Sequence, residues 1–133
     1  MPSRIVLDTS AYSQLRRGHL GVRQRIAACD VALVPAIVLG ELEAGFRRGS
    51  RYEDNVVVLE EFLGEPFVET LDVTPVVSRI YGRHFLALRE AGTPIPTNDI
   101  WIAACATAAG AVVVTLDPHF TRVPHLDVDL LSP

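Results

Sequence analysis

Apolar positions along this chain follow two rhythms, and each predicts a different element. Short unbroken runs rich in β-branched residues predict strands at Arg4–Leu7, Val31–Val34, Phe67–Leu71 and Val112–Thr115, with a candidate edge strand at Leu126–Leu130. Between them the spacing turns helical. Ser10–Arg17 and Leu20–Ala28 are short; Ala36–Arg48 follows Pro35. Tyr52–Leu63 carries Val56, Leu59 and Phe62 on one side. Thr74 then Pro75 is an N-cap followed by proline at the first helical position, opening a helix to about Ala91. A last helix is expected over Asp99–Ala109, capped by Asn98 or Thr97 and stopped by Gly110. It is apolar nearly all round, so it should be buried.

Strands alternating with helices imply an α/β domain with a mainly parallel sheet of four or five strands. Unbroken rather than alternating apolar strands say the same, because a parallel sheet is covered on both faces. In such sheets ligands bind beyond the carboxyl ends of the strands. The length, 133 residues, fits one domain over 1–133 with one well-buried core. Ile100–Leu116 carries no charge for seventeen residues, just short of a membrane span. Gly110 divides it, and Val112–Val114 reads as a strand, so it is a buried helix followed by a buried strand. The opening MPSRIVLD has no secretory apolar region. Cys29 and Cys105 form no C-x-x-C pair and fit small buried side chains in a reducing compartment. A cytoplasmic protein without membrane association is expected.

Charge changes the picture through its distribution. The net charge is −4, which argues against indiscriminate nucleic-acid binding. Residues 1–51 nevertheless hold eight arginines against four acids, while residues 52–133 hold four against twelve. The arginines cluster as Arg16 and Arg17, Arg23 and Arg25, and Arg47, Arg48 and Arg51. Solvated helix faces explain these groups as readily as a phosphate-binding patch. The chain contains no lysine.

Four acids take a special place in this topology. Asp8 directly follows the first strand, and Asp117 lies two residues past the end of the fourth. Glu41 sits about one and a half turns into a helix that starts at the same edge. Asp99 opens the helix that returns the chain to the fourth strand. Each acid alone has an ordinary reading: Asp8 as a helix cap, Asp117 as a turn starter, Asp99 as a first-turn residue favoured by the helix dipole. Glu41 and Glu43 separate the two kinds of reading. They point to opposite sides of one helix, and Glu43 has Arg47 four residues on as a surface partner. Glu41 has Gly45 there, and apolar neighbours. Two carboxylates 4 Å apart repel by about 4 kcal/mol at an effective dielectric near 20. Four together call for a divalent cation, and oxygen ligands favour Mg2+ or Mn2+ over Zn2+. The four histidines show no paired spacing; only His119 is close in sequence to a proposed ligand.

Rival acid-pocket folds lack their marks. A phosphoacceptor receiver needs a lysine, and a haloacid-dehalogenase-type phosphatase needs an Asp where Ser10 stands. There is no G-x-x-x-x-G-K-[ST] loop, and D-T-S rather than a glycine-rich turn follows the first strand. The stretches "IVLDTSAY", "VPAIVLGELEAGFRRGSR" and "GTPIPTNDIWIAACATAAGAVVVTLDPHF" instead resemble the PIN-domain ribonucleases, and more closely the VapC-type toxins of toxin–antitoxin pairs. The resemblance spans the whole chain and selects the same four acids in order.

That resemblance implies an α/β/α sandwich and a Mg2+-dependent endoribonuclease, with Mn2+ as a substitute. It also implies a homodimer and a cognate antitoxin that blocks the site. Asp8 and Asp99 would be direct metal ligands, with Glu41 and Asp117 completing the pocket, one of them orienting the attacking water as a base. Thr9 and Ser10 are candidates to hydrogen-bond substrate or water, and equally to cap the helix. Arg16, Arg17 and Arg47 are candidates to hold flanking phosphates of an RNA substrate. Tyr12 can stack a base, though core or dimer packing suits it better. Two other classes stay open at this point: a PIN-fold nuclease with another role, in RNA processing or on DNA, and a nucleic-acid-binding PIN module that has lost catalysis. Four intact acids argue against the second.

Overall fold

The structure, a computed structural model, describes residues 3–133. Five strands form one sheet: β1 (Arg4–Leu7), β2 (Val31–Pro35), β3 (Val68–Leu71), β4 (Val112–Thr115) and β5 (Val128–Leu130). All four pairings are parallel, in the order β3-β2-β1-β4-β5. The most apolar runs take the middle: Ile5, Val6, Leu7, Leu33, Val34, Val113 and Val114 are all buried, as strands covered on both faces must be. The register aligns Val6 with Leu33 on one side and Val113 on the other.

Six helices make the crossovers: α1 (Thr9–Arg16), α2 (Leu20–Ala28), α3 (Ala36–Arg48), α4 (Tyr52–Leu63), α5 (Pro75–Glu90) and α6 (Thr97–Ala109). A short 3-10 helix (Pro118–Arg122) follows β4. The chain starts at the centre, walks outward through β2 and β3, then returns through α5 and α6 to place β4 on the other flank of β1. The strand order therefore reverses between β1 and β4. Such a switch point leaves a crevice at the carboxyl ends of the two strands.

Most boundaries follow the sequence pattern. Thr74 caps α5 by accepting from the Val77 amide at 3.2 Å, with Pro75 at the first position. Gly110 ends α6 with φ of 62°, a left-handed conformation that glycine takes at no steric cost. The uncharged stretch does divide into buried helix and buried strand: Ile100, Ile102, Ala103, Ala104, Cys105 and Ala106 of α6 lie in the core. No described helix is long and apolar enough to cross a membrane.

Three details differ from expectation. Strand β3 starts at Val68, although the Phe67 carbonyl still accepts from Ala32 at 2.8 Å. Strand β5 is confined to Val128–Leu130, because the chain turns at His125 with φ of 61° just before it. The start of α6 is the third. Its N-cap is Pro96, and no side chain caps it; Thr97 and Asn98 already lie inside the first turn. Proline has no acceptor side chain, so the loop's extended backbone alone starts the helix.

Candidate metal centre

The crevice is built from the ends of β1 and β4. Asp8, the residue after β1, is 4% exposed and caps α1, accepting from the Ala11 amide at 2.8 Å. Ser10 Oγ donates to the same carboxylate at 2.8 and 2.9 Å. Thr115, the fully buried last residue of β4, donates its hydroxyl to Asp8 Oδ2 at 2.5 Å. Thr115 Oγ1 in turn accepts from the Asp117 amide at 2.9 Å, and Ser10 Oγ accepts from the Leu116 amide at 3.1 Å. The two strand ends are thus stitched together around one carboxylate. Burial raises the pKa of Asp8; the hydrogen bonds from Thr115, Ala11 and Ser10 oppose that rise, and the Asp117 charge adds to it.

Above this floor stand Asp99 and Asp117. Asp117 opens the 3-10 helix, accepting from the His119 amide at 2.9 Å. The His119 ring folds back so that its Nδ1 lies 3.2 Å from Asp117 Oδ1 and 3.3 Å from Asp99 Oδ2. One donor atom from each of Asp99, Asp117 and His119 lies within 4.8 Å of the others. The carboxyl group of Asp99 is pushed up to about 6. Burial is the main cause, with the Asp117 and Glu41 charges adding and His119 opposing. A carboxylate so raised is one that a nearby cation would return to its ionised form.

Glu41 completes the ring from α3. Its Oε1 accepts from Thr9 Oγ1 at 2.6 Å, and its Oε2 from the Asn98 amide group at 3.4 Å. Glu43 points the other way, as the helical spacing requires, pairing with Arg47 at 3.1 Å and with the Tyr52 hydroxyl at 2.5 Å. The four acids therefore meet at one edge. Thr9 and Ser10 meet them too, but as donors that hold Glu41 and Asp8 in place.

The arginines do not enter the pocket. Arg16 and Arg17 end α1, about 12 Å along the helix from Asp8 at 1.5 Å per residue. The Arg16 guanidinium lies over the rings of Tyr12 and Phe62, at 5.3 and 5.7 Å. Arg47 is engaged with Glu43 and stands 4.8 Å over the Tyr52 ring. Tyr12 is buried edge-on against Phe62 and is a core residue. Thr115 goes unmarked in the sequence, Asn98 is marked there only as a helix cap, and His119 only as the histidine nearest a proposed ligand. Thr115 is the one polar residue closing an otherwise apolar strand, and His119 repeats the two-residue step from Thr115 to Asp117. Both signals are legible once the strand end is fixed.

A family model for the PIN domain matches residues 5–126. The chain belongs to the PIN-domain family. Within it, the chain belongs with the VapC ribonucleases. Ribonuclease VapC5 of Mycobacterium tuberculosis is 30% identical over 128 residues, 92% of this chain and 89% of the relative. Ribonuclease VapC2 of Rickettsia felis is 31% identical over 102 residues, 76% of this chain and 75% of the relative. Among solved structures, VapBC2 of Rickettsia felis, bound to a promoter DNA fragment, superposes with a TM-score of 0.87 at 26% identity. The match covers 96% of this chain and 98% of that one. VapBC-5 of Mycobacterium tuberculosis, a member of a toxin–antitoxin family, gives 0.73 at 26% identity, over 99% and 100%. The α/β fold with its five-stranded parallel sheet is that of these PIN-domain proteins.

Proposed function

We propose that this PIN domain, acting as one unit over residues 1–133, is a metal-dependent endoribonuclease and the toxin of a type II toxin–antitoxin pair in the cytoplasm. One observation carries the reading: Asp8, Glu41, Asp99 and Asp117, far apart in sequence, converge at the switch point between β1 and β4. The VapC relatives carry the name ribonuclease, which supports the activity. The likeness to a toxin–antitoxin family supports an antitoxin partner, and the family resemblance supports a homodimer.

The donor set fits a divalent cation. Donor atoms of Asp99, Asp117 and His119 lie within 4.8 Å of one another, and burial, with the Asp117 and Glu41 charges adding, raises the Asp99 carboxyl group that a cation would ionise. Asp99 and Asp117 would hold it, with Asp8, which the resemblance implied as a direct ligand, and Glu41 beside them; the carboxylates suit Mg2+, with Mn2+ as a substitute. Bound there, a cation supplies Lewis-acid stabilisation of the phosphoryl oxygens and acidifies water for attack. The protein does the rest. Thr115 and Ser10 fix Asp8, so the floor of the site does not reorganise when substrate arrives. Thr9 and Asn98 hold both oxygens of Glu41, which takes the proton of the attacking water as general base while that water bonds to phosphorus and the bond from phosphorus to the leaving ribose oxygen breaks, that oxygen taking a proton from solvent water. Arg16 and Arg17 neutralise flanking phosphates of single-stranded RNA; Arg47 reaches one only by leaving Glu43.

The test is cleavage of single-stranded and structured RNA, with DNA of the same sequence alongside, by purified protein with Mg2+ or Mn2+. EDTA and Asp99→Asn serve as controls, the variant's folding checked by circular dichroism. RNA cleavage that stops with EDTA and falls at least about 100-fold in folded Asp99→Asn is the expected result. Undiminished cleavage by that variant overturns the four-acid site, and preferential DNA cleavage overturns the RNA assignment.

A further inference from the structure

We infer that His119 is a ligand in its own right, making this a mixed nitrogen–oxygen centre that binds Mn2+ in preference to Mg2+. The inference deepens the metal-dependent reading above and rests on it. Its ground is geometric. His119 Nδ1 lies 3.2 Å from Asp117 Oδ1 and 3.3 Å from Asp99 Oδ2. An octahedral ion with bonds of about 2.1 Å holds neighbouring ligand atoms about 3.0 Å apart. A cation between the same three atoms would be faced by an unprotonated Nδ1 and two carboxylate oxygens.

The local chain holds this arrangement. Pro118 restricts the backbone between the two residues, and Asp117 Oδ1 already accepts from the His119 amide at 2.9 Å. The imidazole is therefore tied to Asp117 through its backbone as well as its ring. Its side chain is 34% exposed, so a hydrated cation reaches it from solvent. The identity of the donors then sets the preference. Mg2+ takes oxygen ligands and sheds water reluctantly, whereas imidazole suits transition-metal ions. Two carboxylates beside one imidazole do not make the closed site of nitrogen and sulfur ligands usual for structural zinc.

Of the other histidines, two are hydrogen-bonded elsewhere and one is exposed. His19 caps α2 and meets the Ser132 carbonyl at 2.7 Å; His84 meets Thr107 Oγ1 at 3.0 Å; His125 lies in an exposed turn before β5. Purified full-length protein is titrated with Mn2+ and with Mg2+ by calorimetry. The Mn2+ complex is then examined by electron spin-echo envelope modulation, which detects nitrogen bound to the ion. Wild-type protein should show nitrogen modulation and bind Mn2+ about 100-fold more tightly than Mg2+. His119→Gln should lose the modulation and about 10-fold or more of Mn2+ affinity, with Mg2+ affinity changed less than about threefold. Mn2+ bound in an Asp99-dependent way without nitrogen modulation overturns the role of His119 and leaves the carboxylate site standing. No Mn2+ binding, or binding indifferent to Asp99→Asn, overturns both readings. Modulation that persists in folded His119→Gln overturns the role of His119, and His119→Asn takes its place where His119→Gln folds poorly.

Discussion

The floor and the rim of the pocket solve the same problem, a carboxylate held out of water, in opposite ways. Asp8 on the floor receives an amide and two hydroxyls, and these are part of the fold: a helix N-cap, the first turn of α1, and the last residue of β4. Asp99 on the rim has one partner, His119, and faces the charges of Asp117 and Glu41. Three hydrogen bonds oppose the burial cost at the floor, although the pKa of Asp8 is still raised. The rim is left electrostatically unfinished. That difference teaches where the chain spends stability on function: the same residue type should stabilise the protein at one level of the site and destabilise it at the next.

The largest effect expected from this contrast is at Asp8. Asp8→Ala removes a helix cap and strips three donors of their common acceptor, so unfolding free energy should fall by about 2–4 kcal/mol. Denaturant titration measures it. A loss under about 1 kcal/mol would mean that the floor is not prebuilt. Thr115→Val comes next. It keeps the shape of the side chain but leaves one Asp8 oxygen without its buried donor and the Asp117 amide without its acceptor. A loss of about 1.5–2 kcal/mol is expected, with metal affinity lowered as well, because Asp117 shifts with its amide. Full stability in Thr115→Val would uncouple the two strand ends.

Asp8 and Asp117 could be placed from sequence because each sits at a strand end, and strand ends in a parallel sheet share an edge. Glu41 was separable from Glu43 by helical spacing alone, and the pairing of Glu43 with Arg47 follows from the same rule. What stayed hidden depends on side-chain direction across elements. The first turn of α6 is an instance: Asn98 or Thr97 was expected to cap the helix, but both lie inside it and the Asn98 side chain reaches Glu41 on α3 instead. The contact of His119 with Asp99 was hidden for a related reason. Histidine spacing is informative within one helix, whereas here the partner residues come from α6 and from the loop after β4. Apart from the pairing of Arg47 with Glu43, the arginine clusters were legible only as charge; their ring partners, Tyr12, Phe62 and Tyr52, required the packed structure.

The smallest effect is at Asp99 itself, and it has the opposite sign from that at Asp8. The folded protein holds the Asp99 proton up to about pH 6, whereas the unfolded chain releases it near 3.8. A group whose folded pKa is raised contributes stability below the unfolded pKa and loses it as pH rises through the folded one. Metal-free protein should therefore lose stability between about pH 4 and 6 on account of Asp99. The shift corresponds to nearly 3 kcal/mol in full, but the side chain is 16% exposed and partly screened, so about 1 kcal/mol is expected. Asp99→Asn, which never carries the charge, should be more stable than wild type by that amount at pH 7 without metal, the gap closing toward pH 4. Melting curves in EDTA across this range measure it. Adding Mn2+ should reverse the ranking, since an ion at 100 times its dissociation constant stabilises the wild type by about 2.7 kcal/mol and finds no complete site in the variant. If Asp99→Asn is instead the less stable protein at pH 7 in EDTA, the rim is compensated like the floor, and the pocket is closed by its own hydrogen bonds rather than by a cation.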